Sequence, residues 1–292
     1  MPFMEFPMSY NTPALLATAV AFFMLNSQQL FAQDDADGAA VAAVSGVPTA
    51  MGVVQSGWRY QWGIGVIANP TFVGSDDYNI RPTPYVDFRY MDHKGTKFFA
   101  NVPQGVGGFF HRQRDQQTGH FINVGAAIAP GFNVRDDSIS GLDKIGISAE
   151  ARVLLEAGGR GWAASAVIAQ DIGSGHEGAY IDLSINRRGP LGEGSGFYAF
   201  GPSLRVGDNT YKESFFNISA AESSASGIAE YDADAGAERL GLQGLVSLPM
   251  GKSKWRVTSI LRMSTLLDVA ADSPIIEDKL QFFFLTAFTR PF

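Results

Sequence analysis

Apolar and polar positions alternate along residues 58–70, WRYQWGIGVIANP, more clearly than anywhere else in the chain. One alternate set is polar or small, and the other is almost wholly apolar and rich in large rings. The apolar set is Trp58, Tyr60, Trp62, Ile64, Val66 and Ala68. A period of two residues predicts a β-strand with two unlike faces. The ring-bearing face packs either against a protein core or against lipid.

The same alternation recurs to the end of the chain and predicts twelve strands. Residues 96–102 and 105–113 are interpreted as two strands, because single-chain bacterial barrels have an even number and fusing the two through VPQG would give eleven. The predicted strands lie near 58–70, 82–91, 96–102, 105–113, 119–129, 144–156, 162–168, 179–186, 196–207, 236–249, 254–265 and 279–290.

Charged residues within the predicted strands concentrate on one face and carry both signs. These residues are Arg59, Glu150, Arg152, Asp182, Arg256 and Arg262. A soluble antiparallel sheet also shows a period of two, but its outward face would carry charges regularly. On a lipid-facing surface each Arg or Lys would cost roughly 2–4 kcal/mol at the membrane midplane. We therefore predict an all-β fold, a single antiparallel transmembrane β-barrel of twelve strands with these charges lining a paired, partly occluded lumen.

The connections between the predicted strands sort by length. Long ones follow strands 1, 5, 9 and 11, while intervening turns such as DHKG, AGGRG and PMGKSK are short. Long loops on one side and short turns on the other are typical of outer-membrane barrels. With an even number of strands, both termini are expected on the periplasmic side.

Composition agrees with a membrane barrel. Aromatic residues make up 12% of the 292 residues and charged residues only 17%, against roughly 25% charged residues in soluble domains. The mean hydropathy is nevertheless +0.02, because apolar and polar residues are interleaved. The chain has no cysteine, which excludes disulfides, Cys-ligated metals and a thiol nucleophile. A net charge of −7 disfavours nucleic acid as a partner.

The N-terminus predicts export. Residues 14–25, ALLATAVAFFML, form an apolar run of signal-peptide length, although residues 1–13 contain Glu5 and no Lys or Arg. A start at Met8 would remove Glu5, and a buried helix or a membrane anchor is the alternative interpretation. We predict a cleaved signal peptide over 1–32, with the cut after Ala32, a flexible lead over 33–57 and the outer-membrane barrel over 58–292.

The C-terminus predicts recognition by the barrel-assembly machinery. The chain ends LQFFFLTAFTRPF, an alternating aromatic strand that closes on Phe292. Such a terminal strand behind a signal peptide is typical of the signal that this machinery recognises. Pro291 cannot donate a ladder hydrogen bond, so the last two residues are expected outside the strand pairing.

Candidate catalytic chemistry is sparse. The four histidines, His93, His111, His120 and His176, are expected at surface or interfacial positions, and Ser273 lacks a nucleophile-elbow context. The acidic pairs Asp76–Asp77 and Asp136–Asp137 have Ca²⁺ or lipopolysaccharide bridging as one interpretation, but solvated loop charge is favoured. The sequence therefore predicts no catalytic residue, no cofactor site and no metal site.

Three stretches together resemble the MipA/OmpV family of Gram-negative outer-membrane proteins. They are WGIGVIANPTFVGSDDYNIRPTPYVDFRY, YKESFFNISAAESSASGIAEYDADAG and LLDVAADSPIIEDKLQFFFLTAFTRPF, in the family's order and spacing. The chain departs from the family pattern at FFNIS and at the Pro before the final Phe. The motif residues are Gly74, Ser75, Asp76, Asp77, Tyr78, Ser226, Gly227, Asp272, Ser273 and Pro274.

The resemblance implies a twelve-stranded, non-enzymatic barrel that serves as a scaffold. In that family the best-known role brings a lytic murein transglycosylase together with a bifunctional penicillin-binding protein. A channel or small-solute uptake barrel is the alternative, and a barrel hydrolase is disfavoured by the missing Ser/His arrangement. Since the first and last strands of a barrel are neighbours, Asp76, Asp77 and Tyr78 are expected to meet Asp272 and Ser273 at the barrel mouth.

Overall fold

A computed structural model describes residues 56–101, 104–132, 134–135, 139–192 and 196–291. The chain divides into two units, residues 1–32 and residues 33–292. The expected signal peptide, nearly all of the expected lead, the pair Asp136–Asp137 and the terminal Phe292 lie outside the described residues. What was expected of them stays a prediction.

Twelve antiparallel strands close into one barrel, which confirms the predicted fold class. Each strand pairs with its neighbours in sequence, and the first pairs with the last. The strands are β1 (Gly57–Pro70), β2 (Tyr78–Asp92), β3 (Gly95–Asn101), β4 (Gly105–Arg114), β5 (Phe121–Gly131), β6 (Ser148–Gly158), β7 (Trp162–Asp171), β8 (Ala179–Leu191), β9 (Gly196–Gly207), β10 (Gly236–Pro249), β11 (Arg256–Leu266) and β12 (Leu280–Pro291). The separate strands β3 and β4 confirm the even count, because Asn101 lies opposite Gly105.

The beginning of β1 and the end of β12 lie at the same end of the barrel, because Gln61 of β1 is in register with Pro291 of β12. Short connections follow β2, β4, β6, β8 and β10 there, and we call this the turn end. The longer connections, 71–77, 132–147, 172–178, 208–235 and 267–279, lie at the opposite end, which we call the loop end. The predicted length asymmetry is therefore present, with 172–178 as a further loop.

Several strand boundaries differ from the sequence-based expectation, and three of the differences have a local explanation. β2 begins at Tyr78, four residues early, because it pairs along all of β1, with Tyr78 opposite Pro70. β6 begins at Ser148, since Ile145 leaves the sheet to bridge Arg135 within the loop. The expectation for Pro291 was wrong, because the register with β1 runs through it. A missing donor on a strand's last residue removes one ladder bond without ending the strand.

The outward face of the barrel is apolar, and its large rings gather at the turn end. Trp58, Trp62 and Trp162 are each at least 40% exposed. Trp58 packs edge-on against Tyr90 with centroids 5.5 Å apart, and Trp62 packs similarly against Trp255 at 5.9 Å. Trp and Tyr favour the membrane–water interface. The ring-bearing face of β1 thus points away from the interior.

Three short helices at the loop end were not predicted. They are α1 (Asn209–Phe216), α2 (Ala220–Ser226) and α3 (Asp268–Asp272). Within the described residues, no helix is long and apolar enough to cross a membrane. The largest cluster of buried apolar side chains includes Tyr211, Phe215, Phe216 and Ala270. This core therefore places α1 and α3 inside the loop end.

Candidate functional site: the closed loop end and the charged interior

The connection after β1 is joined to the connection before β12. The backbone N–H groups of Glu277 and Asp278 donate to the carbonyl oxygen of Gly74 at 2.8 and 2.9 Å. The Ser75 hydroxyl donates to the Glu277 carboxylate at 3.1 Å, and the Asp76 N–H donates to the same oxygen at 3.2 Å. The first motif and the last connection thus form one hydrogen-bonded unit across the seam where the barrel closes.

Gln281 and Tyr78 extend this unit onto the strands. The Gly74 N–H donates to Gln281 Oε1 at 3.1 Å, and Gln281 Nε2 donates to the Ser75 carbonyl at 3.2 Å. The Phe282 N–H donates to the Tyr78 hydroxyl at 3.1 Å. Gly74 has φ +98°, and a Cβ there would lie 2.2 Å from Ile276 Cδ1. This motif position therefore requires glycine.

The structure places Asp272 and Ser273 away from the contacts expected for them. The Ser273 hydroxyl is buried and donates to the Phe216 carbonyl at 2.7 Å. Asp272 pairs with Lys279 at 3.3 Å, and both side chains are more than half exposed. Pro274 follows α3 and is exposed. The expected contact of Asp76, Asp77 and Tyr78 with Asp272 and Ser273 is therefore wrong, and Glu277 is the residue that meets the first motif instead.

A double-mutant cycle tests this seam contact. We expect Ser75→Ala and Glu277→Ala to show a coupling of about 0.5–3 kcal/mol in the free energy of unfolding, because the two side chains share a hydrogen bond. Urea unfolding of the refolded barrel, followed by heat-modifiable gel mobility, measures it. Asp77→Ala with Asp272→Ala is the control pair, expected to be additive within about 0.5 kcal/mol. Coupling between Asp77 and Asp272, together with additivity between Ser75 and Glu277, would contradict the hydrogen bond across the seam.

Helix α1 fills the mouth of the barrel. Its first turn is capped by Asp208, which accepts a hydrogen bond from the Tyr211 N–H at 2.8 Å. Tyr211, Lys212 and Phe216 are each 0% exposed. The Lys212 ammonium donates to the Ala237 carbonyl at 3.2 Å, and burial lowers the pKa of this amine. The Lys212 side chain is therefore held inside the closure by a backbone oxygen.

Helix α2 is fixed by one carboxylate. Glu222 and Ser219 form a capping box at its start, and Glu222 also accepts from the Asp143 N–H at 3.0 Å and lies 3.8 Å from Arg135. Burial raises the pKa of Glu222, but these hydrogen bonds and the Arg135 charge outweigh it and hold the pKa below its ordinary value. Glu222 thereby ties the connection after β5 to the connection after β9.

Ser226 and Gly227, the second pair of motif residues, terminate α2. The Ser226 hydroxyl donates to the Glu222 carbonyl at 2.7 Å. Gly227 adopts the left-handed conformation with φ 77°, and its N–H donates to the Ser223 carbonyl. Left-handed C-caps favour glycine. Both residues therefore have a local structural role in the closure.

Beneath the closure, three of the predicted lumen charges lie close together in buried pairs. Arg152 contacts Glu150 at 2.7 Å, and the Tyr180 hydroxyl donates to Glu150 at 2.9 Å. Arg205 donates to both carboxylate oxygens of Asp182 at 2.7 Å each. Such two-point contacts are the strongest form of the Arg–carboxylate interaction. The interior at this level is occupied by paired side chains.

The other three predicted lumen charges lie nearer the middle of the barrel and the turn end. Arg262 is buried at 4% exposure within β11. Arg256 donates to the hydroxyl and the carbonyl of Ser247 at 3.1 and 3.2 Å. Arg59 is exposed at the turn end.

The expectation for His176 was wrong, because this residue is 1% exposed. Its Nε2 lies 3.4 Å from Glu150, and its Nδ1 accepts from the Gly178 N–H at 3.2 Å. The connection folds inward because the Asp171 carboxylate accepts four backbone N–H groups, those of Gly173, Gly175, His176 and Glu177. An Asp followed by alternating glycines was the available sequence signal. His93, His111 and His120 are exposed, as expected.

Among the described residues, exposed cations predominate at the turn end and exposed acids at the loop end. The exposed cations of the turn end are Arg59, Lys94, Lys97, Arg114, Arg160, Arg187, Lys252, Lys254 and Arg290, with Asp115 as an exposed acid beside them. The carboxylates in the turn-end half of the described residues, Asp87, Asp92, Asp115 and Glu156, each accept a hydrogen bond. The exposed acids of the loop end are Asp76, Asp77, Asp143, Glu177, Asp208, Glu213, Glu230, Asp232, Asp234, Asp268, Asp272, Glu277 and Asp278. In the described part of the chain the turn end is therefore basic and the loop end acidic, a difference that the net charge of −7 does not reveal.

No group of three or more His, Asp or Glu residues in the described ranges is arranged to hold a metal ion. A sequence profile described as MltA-interacting protein MipA matches residues 62–292. A comparison with curated proteins finds no match. The profile spans the barrel from the middle of β1 through β12.

Proposed function

Because the chain belongs to the MltA-interacting protein MipA family, we propose that it is a non-enzymatic outer-membrane scaffold whose turn end binds murein-remodelling enzymes in the periplasm. Family membership and the closed twelve-stranded barrel support an outer-membrane barrel. In such barrels the termini and short turns face the periplasm, which orients the turn end toward the murein layer. Export by the N-terminal signal peptide and insertion through the C-terminal strand are parts of the same proposal.

The observation that carries the proposal is the basic character of the turn end. Lys94, Arg160, Lys252 and Lys254 are exposed in its turns, while the carboxylates nearby are engaged by other groups. A surface of one sign attracts a partner of the opposite sign and orients it during encounter. We infer that the turns present these cations to acidic patches on a periplasmic protein.

The family description names the first partner class through the words MltA-interacting protein. We propose a lytic murein transglycosylase as that partner and a penicillin-binding protein as the second. The paired interior and the α1 closure favour binding at a surface over passage of solutes. They make the channel alternative the weaker candidate.

Charge reversal at the turn end tests the proposal. Detergent-purified barrel is immobilised, and retention of a murein transglycosylase is measured across a range of salt concentrations. We expect the Lys252→Glu, Lys254→Glu double variant to bind about tenfold more weakly, which corresponds to about 1.4 kcal/mol. Its binding should also depend less on salt, because the reversed pair no longer attracts the partner.

The control reverses the two exposed cations of the loop end, in the Lys144→Glu, Lys279→Glu variant. This variant carries the same change in net charge and is expected to bind as the unmodified protein does. Retention no greater than on an unrelated barrel would overturn the proposal. Equal losses in the two double variants would show that net charge, and not the turn end, governs binding.

A further inference from the structure

The outward face of the barrel carries an apolar groove across β5 to β10. The groove encloses about 540 Å³. Its floor is formed by Ala157, Ala164 and Ala166, and its walls by Ile122, Leu183 and Ile185. The two wall residues on β8 are 41% and 60% exposed. Larger apolar side chains flank the three alanines here, so this groove is a local recess in the belt that faces lipid.

Strand register explains why the recess forms. Ala157 lies opposite Ala164 across β6 and β7, and Ala164 lies opposite Ile185 across β7 and β8. Neighbouring strands lie about 4.8 Å apart, so adjacent alanines leave a slot about as wide as a hydrocarbon chain. The larger side chains of β5 and β8 stand on either side of it.

One end of the groove meets a cationic and aromatic surface at the turn end. Trp162 and Arg187 are register partners, each two residues beyond a groove residue on the same strand and the same face. Arg187 is exposed, and its guanidinium lies over the turn, because a Cβ on Gly161 would be 2.8 Å from Arg187 Nη1. Arg160 is exposed in that same turn, where its Nη2 donates to the Gln117 carbonyl of the neighbouring turn. A slot for an acyl chain thus ends at Arg187 and an interfacial tryptophan, with Arg160 in the adjoining turn.

We propose that this groove holds a glycerophospholipid with an anionic headgroup from the membrane leaflet at the turn end. One acyl chain lies along the three alanines, and the phosphate contacts Arg187 and Arg160. Arginine binds phosphate through several donors at once, and Trp162 belongs at the depth of the headgroups. A second copy of this chain fits poorly, because two concave faces related by a two-fold axis enclose a void.

Native mass spectrometry of the barrel released from a mild detergent tests the site. The protein is first exchanged into micelles that contain either phosphatidylglycerol or phosphatidylethanolamine. We expect one retained phosphatidylglycerol per barrel, and retention of phosphatidylethanolamine to be about fivefold lower. In the Arg160→Gln, Arg187→Gln double variant, we expect phosphatidylglycerol retention to fall about fivefold as well. The reason is that a cation near the membrane surface contributes about 1 kcal/mol to lipid binding.

A second variant fills the groove and leaves the cations in place. The Ala164→Leu, Ala166→Leu double variant fills the groove with larger side chains, which remain compatible with a surface that faces lipid. We expect this variant to lose the retained phospholipid. Ala151→Leu, outward on β6 but outside the groove, is the control for bulk and should retain it. Lys254→Gln is the control for charge. Three outcomes would each overturn the proposal. They are no retained lipid on the unmodified protein, undiminished retention in both test variants, and a dimer mass in place of the lipid adduct.

Discussion

Arg205→Met is expected to lower the free energy of unfolding by about 3–5 kcal/mol, because it leaves the Asp182 carboxylate buried without its partner. Arg205 is 2% exposed and holds Asp182 through two contacts of 2.7 Å. It also donates to the Tyr211 hydroxyl at 3.1 Å and lies 4.1 Å from the Tyr180 ring centroid. Urea unfolding in detergent micelles, followed by tryptophan fluorescence, measures the change.

Two further variants separate loss of the ion pair from loss of packing. Asp182→Leu with Arg205→Met removes both charges, and should recover much of the lost stability, because well-packed apolar side chains can replace a buried pair. Arg256→Met removes a half-buried arginine hydrogen-bonded to Ser247 and is expected to cost under about 1.5 kcal/mol. A single Arg205 variant as stable as the Arg256 variant would contradict the assigned role of the pair.

The strands were predictable because each separates two different environments. In β1 and β12, outward side chains meet lipid and inward ones meet polar groups, so a period of two appears directly in the sequence. Boundaries were less predictable, as with Tyr78, because the start of β2 is set by the length of its partner β1. The alternation in a strand cannot show how far its neighbour extends.

The helices at the loop end left weaker signals. Helix α2 has a capping box from Ser219 to Glu222 and a terminal Gly227, which a search for helix start and stop residues can find. With 7 and 8 residues, α2 and α1 are too short for periodicity to identify. The stability of α1 comes from packing inside the barrel, and that of α2 from its capping box and the contacts of Glu222, so both depend on the closed fold.

The sequence predicted that charged residues inside the barrel would form pairs, but it did not identify every partner. Mixed signs on the inward faces of the predicted strands indicated pairing, and Asp182 of β8 was among the residues identified. Its partner Arg205 was not, because the register of β8 against β9 brings them opposite each other, and register cannot be read from alternation alone. His176 was missed for a similar reason, since the Asp171 turn directs it inward.

Deleting the α1–α2 segment is expected to open the barrel to ions. Gly207 and Gly236 are register partners, so a four-residue Gly-Ser turn in place of residues 208–235 joins β9 to β10 directly. The deletion removes Tyr211, Lys212 and Phe216, each fully buried in the loop end. In planar bilayers we expect no steady conductance from the unmodified barrel and discrete openings from the deleted one, because the mouth loses the side chains that fill it.

The matched control replaces only the exposed residues of α2, Ala220, Ala221, Ser224 and Ala225, with glycine and keeps Glu222 and α1. It should conduct no more than the unmodified barrel, since α2 contributes no buried side chain. Heat-modifiable gel mobility confirms that each variant has formed a barrel. A folded deletion variant that stays closed would show that the paired interior, including Asp182 and Arg205, is sufficient to block ions. Steady conductance in the unmodified barrel would instead favour the uptake alternative over the scaffold, because a lumen that passes ions at rest is not closed by α1.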